Sequence, residues 1–103
     1  MYKIIITHIA GCSFNNEDGS VREDILKFLA LDSDLHLQNY LFDNEKAVKV
    51  LTLDNKCVGN IPKDLSELIF DNNESGKIKK VVYKPNQVVN GRYKHYVKIY
   101  IQK

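Results

Sequence analysis

The chain has few of the residues that cross-link small domains or hold metal ions in them. Its 103 residues include two cysteines and three histidines. Cys12 and Cys57 lie far apart and form no Cys-x-x-Cys pair, so neither a zinc knuckle nor a redox motif is supported. A disulfide between them is geometrically possible, but we expect two reduced, mostly buried thiols in a cytoplasmic protein. The histidines lack metal-ligand spacing, so we expect no metal and no cofactor.

Long apolar runs and nucleotide-binding loops are also absent. No apolar run approaches the ~20 residues that cross a bilayer, and Met1–Ile4 has the pattern of a strand rather than of a signal peptide. The chain has no Gly-x-x-x-x-Gly-Lys phosphate loop. Cys12 follows Gly11, as some nucleophiles do, but catalysis would need a histidine base that only the fold could place beside it. We therefore expect neither membrane contact nor enzymatic activity.

Acidic residues are missing from the last quarter of the chain. Residues 1–75 hold seven Lys or Arg and all 13 Asp or Glu, a net charge of −6, whereas residues 76–103 hold eight Lys or Arg and no acid. A one-sided basic segment can attract a polyanion by releasing its counterions. The alternative is that the two segments neutralise each other on the folded surface. The length fits a single domain, residues 1–103, with one core.

The hydrophobic pattern predicts six short strands and two helices. Ser20 and Glu23 have the spacing of a capping box, which predicts a helix from there to Ala30. Pro62 suits the start of the second helix, where its missing amide costs nothing. Asn90-Gly91 is a typical turn between the last two strands. The fold class is therefore mainly β with two helices, arranged as a small, mainly antiparallel barrel.

The last strand alternates between apolar and polar residues. Lys94, Tyr96, Lys98 and Tyr100 face one way, which is suitable chemistry for single-stranded nucleic acid, because ammonium groups hold phosphates and phenol rings stack on bases. The alternative is an ordinary solvated strand face with cross-strand tyrosines.

One block of sequence resembles a known family. Val58-Gly59-Asn60-Ile61-Pro62, preceded by Leu35-His36-Leu37, Ala47-Val48-Lys49-Val50 and Ala10-Gly11-Cys12-Ser13-Phe14, resembles the HIRAN domain family over about residues 5–68. These are small DNA-end-binding modules fused to helicase-like translocases, and they also occur as short free-standing bacterial proteins. The resemblance implies a six-stranded, modified oligonucleotide-binding-type barrel. It also implies binding of single-stranded DNA or its 3′ end in DNA repair or replication.

The resemblance also implies a pocket for a 3′-hydroxyl end, which is partly altered in this chain. Phe14 matches the first of two stacking aromatic residues, whereas Asn15 occupies the position of the second. Ser13 occupies the position of a phosphate-binding arginine. Phe42-Asp43 resembles a Tyr-Asp pair whose carboxylate accepts the hydroxyl hydrogen bond, but only if one residue is inserted. Without the insertion, Asn44 takes the aspartate position.

The predicted nucleic-acid-binding residues combine the pocket with the polar face of the last strand. They are Phe14, Asn15, Tyr40, Phe42, Asp43, Asn60, Lys63, Arg92, Tyr93, Lys94, Tyr96 and Lys98. The expected partner is single-stranded DNA or a DNA end. The alternative is a protein-interaction module that recruits a nuclease or helicase in trans through its charged faces. The sequence leaves the oligomeric state open.

Overall fold

The structure is a computed structural model that describes residues 1–89 and 92–103, with side chains for residues 1–85 and 95–103. Its elements, in chain order, are β1 (Tyr2–His8), α1 (Arg22–Lys27), β2 (Leu35–Phe42), β3 (Glu45–Thr52), β4 (Cys57–Asn60), α2 (Lys63–Glu74), β5 (Ile78–Val89) and β6 (Arg92–Gln102). The prediction of a mainly β fold with two helices is confirmed. The predicted Asn90-Gly91 turn lies outside the described residues.

The strands form two antiparallel three-stranded sheets, in the orders β1-β6-β5 and β2-β3-β4. Within the described residues, single bridges connect the sheets at Ala10–Asn60 and at Asp34–Val82. The six strands therefore do not close into the continuous barrel that we expected. A sequence pattern predicts strands, but whether the end strands pair depends on the twist and spacing of the two sheets.

The core lies between the two sheets. On β6, Val97, Ile99 and Ile101 are buried, while the alternating residues are half-exposed, as the pattern predicts. Val48 and Val50 of β3 are fully buried in the same cluster. Complete burial of one such side chain stabilises the fold by about 1.5–3 kcal/mol.

Helix α1 differs from its prediction. Its N-cap is Val21, which makes no side-chain capping bond. Ser20 Oγ instead donates to Asp18 Oδ1 at 2.6 Å, and Glu23 contacts His95 Nε2 at 2.9 Å. The predicted capping box is therefore wrong, because both of its side chains have other partners.

The short length of α1 also changes which of its residues are buried. With six helical residues, it makes fewer than two turns. Leu26 is its buried residue, while Phe28, inside the predicted helix, is the C-cap of α1 and is 89% exposed.

Gly59 allows the segment after β1 to cross closely over β4. Its φ is +154°, and a Cβ at this position would lie 2.5 Å from the Ala10 carbonyl oxygen and would also overlap Ile9 Cγ2. A larger residue is therefore excluded sterically. The crossing places the loop that follows Ala10 against the end of β4, next to Asn60.

The described residues include no helix that is long and apolar enough to cross a membrane.

Candidate nucleic-acid interface

Two reciprocal backbone hydrogen bonds position the loop after β1. Ala10 and Asn60 each donate an N–H to the other's carbonyl at 2.8 Å. The next residue, Gly11, has φ +73° and turns the chain. Arg22 Nη1 donates to the Gly11 carbonyl at 3.0 Å, and Phe14 N–H donates to the same oxygen at 3.2 Å. Gly11 is thus the point at which Phe14, Arg22 and Asn60 converge.

The second half of the site comes from β2 and β3. The Tyr40 hydroxyl donates to Asn60 Oδ1 at 2.8 Å, and Lys49 Nζ lies 4.9 Å from the centroid of the Tyr40 ring. Desolvation raises the pKa of Tyr40, so its hydroxyl stays protonated and remains a donor at neutral pH. Directly opposed residues of antiparallel strands share a face, and Lys49 is opposite Asn60. We call Gly11, Phe14, Arg22, Tyr40, Lys49 and Asn60 the Gly11 cluster.

The Gly11 cluster combines aromatic rings with positive charge. Phe14 is 67% exposed, so its ring is available for stacking. Arg22 uses Nε to hold Asn16 at 2.9 Å and Nη1 to hold Gly11. Within the described part of the chain, its other N–H groups make no hydrogen bond. A guanidinium fixed in this way can still donate to a phosphate oxygen, and the Lys49 ammonium adds a second charge.

A cleft of about 370 Å³ adjoins the Gly11 cluster, and its lining contains charges of both signs. Arg22, Lys49 and Lys56 supply cations to its lining, while Glu17 and Asp18 supply carboxylates. Hydrogen bonds from Ser20 lower the pKa of Asp18, which therefore stays ionised at neutral pH. A polyanion in the cleft would consequently be attracted by the three cations and repelled by the two carboxylates.

Three predicted site residues, Phe14, Tyr40 and Asn60, lie together in the Gly11 cluster. Asn15 lines the adjoining cleft and forms an isolated bridge with Val21.

Phe42 and Asp43 lie at the tip of the β2–β3 hairpin. Phe42 is exposed and shares the Tyr40 side of β2, because residues two apart along a strand project the same way. Asp43 has φ +50° and Asn44 has φ +63°, which are the signs that a two-residue type I′ turn requires. Both residues are exposed. Asp43 and Asn44, the two candidates for the pocket aspartate position, are therefore both exposed turn residues rather than buried pocket residues.

The remaining predicted residues lie elsewhere. Lys63 is exposed and pairs with Glu45 Oε2 at 3.4 Å. Tyr96 and Lys98 lie on the outer face of β6, where Lys98 Nζ is 5.2 Å from the centroid of the Tyr100 ring. For Arg92, Tyr93 and Lys94 the structure gives strand backbone, and their side chains lie outside the described residues.

The outer face of β6 and the Gly11 cluster adjoin along one stretch of chain. His8 is opposite Tyr96, and Ala10 is opposite Asn60. His8 is exposed while Ile9 is buried, so His8 and Ala10 project to the same side. The predicted residues therefore form two groups on neighbouring parts of one surface.

Two cations of the site, Lys49 and Arg22, are not among the residues predicted from the sequence. Lys49 could have been found from strand alternation, because the hairpin register places it beside Asn60. Arg22 carried no such signal, since its contact with Gly11 depends on how the loop folds back onto α1.

Cys12 and His95 are both engaged in hydrogen bonds with neighbouring groups. Cys12 is half-buried and donates its thiol to the Ile9 carbonyl at 3.1 Å. Burial raises its pKa to about 12, which disfavours the thiolate. Buried His95 has Tyr83 Oη 2.6 Å from Nδ1 and Glu23 Oε2 2.9 Å from Nε2, so both of its ring nitrogens are engaged.

Both cysteines are free. In the part of the chain that the structure describes, no three His, Cys, Asp or Glu side chains are grouped so that they could hold a metal ion.

Comparison with known proteins finds no family model, no curated protein and no solved structure that matches this chain. The resemblance to the HIRAN family therefore remains a prediction from the residues quoted above.

Proposed function

We propose that this chain is a non-enzymatic module that binds single-stranded nucleic acid, with single-stranded DNA or a DNA 3′ end as its ligand. The observation that carries the proposal is the Gly11 cluster, where exposed Phe14 and the Arg22 guanidinium meet at one fixed loop. Tyr40, which binds Asn60, brings the Lys49 ammonium to the same cluster. Aromatic side chains beside Lys or Arg are the usual elements of strand-binding surfaces.

Each side chain of the cluster would have a distinct role in binding the strand. Phe14 would stack on a base, and base stacking is worth roughly 1–3 kcal/mol. Arg22 and Lys49 would neutralise the phosphates on either side of that base. Tyr40 is held by Asn60 and flanked by Lys49, so it would act as a fixed edge of the site.

The outer face of β6 would continue the path of the strand. Tyr96, Lys98 and Tyr100 alternate with buried residues there and are half-exposed. We include this face in the proposed path because His8 and Ala10 connect it to the Gly11 cluster.

We expect only modest selectivity for a free 3′ end. Ser13 lacks the charge of the arginine expected at its position, and Asp43 is exposed in a turn. Arg22 supplies a guanidinium from α1 instead, but two of its N–H groups already bind Asn16 and Gly11. Binding should therefore depend more on strand charge and stacking than on the terminal hydroxyl.

Assignment to the HIRAN family, with a role in DNA repair or replication, is part of the same proposal. Its structural support is the mainly β fold of six strands and two helices. The close crossing at Gly59 also gives a steric reason for the glycine in the Val-Gly-x-Ile-Pro element.

The second candidate is a protein-interaction module that recruits a nuclease or helicase. A groove of about 620 Å³ favours it, because Ile25, Phe28, Leu29 and Leu53 contribute to its lining. An apolar side chain of such a partner would fit between α1 and the β3–β4 turn.

Fluorescence anisotropy can separate the two candidates. The probes are short labelled single strands with a 3′-hydroxyl or a 3′-phosphate and a blunt duplex, each at two salt concentrations. We expect both single strands to bind more tightly than the duplex, with log affinity falling linearly with log salt. Absence of binding at low salt would contradict the proposal and favour the protein-interaction module.

A further inference from the structure

Strand β1 has an unpaired edge. It is the end strand of its sheet and pairs with β6 from Tyr2 to His8. Among the described residues, no strand pairs with its other side over this range. Beyond this range, Ala10 forms an isolated bridge to Asn60 of the neighbouring sheet. A seven-residue stretch of strand is therefore open on one side.

The backbone groups on the open side can be assigned from two hydrogen bonds. Ile9 N–H donates to the His95 carbonyl on β6, whereas Ala10 N–H donates to Asn60 on the opposite side. Backbone groups alternate in direction along an antiparallel strand. The N–H and C=O groups of Tyr2, Ile4, Ile6 and His8 therefore point away from β6 and along the open edge.

The side chains of the same residues make this edge apolar. Tyr2, Ile4 and Ile6 are 51%, 48% and 61% exposed on the outer face. The strand contains no proline and no bulge, and Lys3 is its one formally charged residue. Proline, bulges and several charges are the usual devices that keep an edge from pairing. This edge lacks most of them.

We propose that the partner of this edge is a second copy of the chain, with its β1 antiparallel and centred on Ile5. In this register Ile4 is opposite Ile6 of the second copy, and Tyr2 is opposite its His8. Every outward backbone group then has a partner, giving about eight hydrogen bonds across the two-fold axis. The exposed isoleucines of both copies meet in one apolar cluster.

The charges on β1 also favour a second copy of the chain as its partner. Lys3 lies opposite Thr7 of the second copy, so no two like charges are opposed. Because opposed residues share a face, the outer face of each copy stays on the same side of the joined sheet. The dimer would thus place two copies of the Tyr96–Lys98–Tyr100 face side by side.

The size of the interface determines how tightly the two copies are expected to bind. Seven residues of strand span about 24 Å. Stable interfaces bury at least about 1,200 Å² in total, and a single strand edge of this length is small by that standard. We therefore expect a reversible dimer with a dissociation constant in the micromolar range.

Analytical ultracentrifugation of the full chain, from about 5 to about 200 µM, tests the proposal. The mean mass of the wild type should rise from monomer toward dimer. The double variant Ile4→Lys, Ile6→Lys should stay monomeric at every concentration, because four lysines would meet across the axis. The matched control Phe28→Lys, Leu31→Lys adds the same charge at exposed apolar positions away from β1 and should dimerise like the wild type.

Amide hydrogen exchange of the wild type gives a readout that does not depend on the variants. The amides of Ile4 and Ile6 should gain protection as concentration rises, whereas those of Ile5 and Thr7 already face β6 and should not change. A wild type that is monomeric at the highest concentration would overturn the proposal. So would a β1 variant that dimerises normally, or concentration-dependent protection confined to other strands.

Discussion

Replacing Gly59 with alanine tests the close crossing that positions the candidate site. The added Cβ would lie 2.5 Å from the Ala10 carbonyl oxygen and would overlap Ile9 Cγ2, at a backbone φ of +154°. Backbone strain of this kind costs about 1–3 kcal/mol. Overpacking against a neighbouring chain segment adds about 1–3 kcal/mol. We expect a total loss of about 2–6 kcal/mol, a large share of the stability of a domain of this size.

Gly19→Ala is the matched control. Gly19 also has a positive φ, +87°, but no atom of the described residues lies within 4 Å of a Cβ placed there. The control therefore introduces backbone strain at a positive φ without the steric overlap. The difference in unfolding free energy between the two variants then measures the cost of the overlap at the close crossing.

Circular dichroism during thermal and urea unfolding is the assay. Each kcal/mol lowers the midpoint temperature by roughly 4–8 °C in a domain of about this length, so Gly59→Ala should melt at least ~8 °C below the wild type. The Gly19→Ala variant should lose much less. Equal losses in the two variants, or a Gly59→Ala protein as stable as the wild type, would refute the steric argument.

Two further predictions concern Cys12 and helix α2. Because burial raises the folded-state pKa of Cys12 to about 12 from 9.0, its contribution to stability is present below pH 9 and is lost as pH rises toward 12. The midpoint temperature should therefore fall more steeply above pH 9 in the wild type than in Cys12→Ser, and parallel curves would contradict this. Ile69 is 0% exposed while the adjacent Leu68 is 40% exposed, so Ile69→Ala should cost about 2–5 kcal/mol in urea unfolding and Leu68→Ala much less. Similar losses in the two alanine variants would contradict the assigned packing of α2.

The sequence predicted the strands well because their signal is local. Alternation predicted one polar and one apolar face on β6, and the structure buries Val97, Ile99 and Ile101 of the apolar face. The Pro62 prediction holds to within one residue, since α2 begins at Lys63 with Pro62 as its N-cap.

Features that depend on distant contacts could not be predicted in the same way. The spacing of Ser20 and Glu23 fits a capping box, but Asp18 and His95 hold these side chains in other positions. Barrel closure was also expected, whereas the two sheets connect through isolated bridges in the described residues.

The residues of the candidate site also divide into those that the sequence could predict and those that depend on distant contacts. Phe14, Tyr40 and Asn60 were selected from the family resemblance, and the structure brings them together around Gly11. Arg22 could not be selected, because only the folding of the loop onto α1 brings its guanidinium to the Gly11 carbonyl.

The most direct test of the account is the affinity of a labelled single strand for the double variant Phe14→Ala, Lys49→Gln. Its matched control is Phe28→Ala, Lys27→Gln, which removes an exposed phenylalanine and an exposed lysine on and beside α1. We expect at least a tenfold loss of affinity in the first variant, since one stacking contact alone is worth roughly 1–3 kcal/mol, together with a shallower salt dependence. The control should bind like the wild type. Equal affinity of both variants and the wild type would contradict the claim that the Gly11 cluster binds nucleic acid.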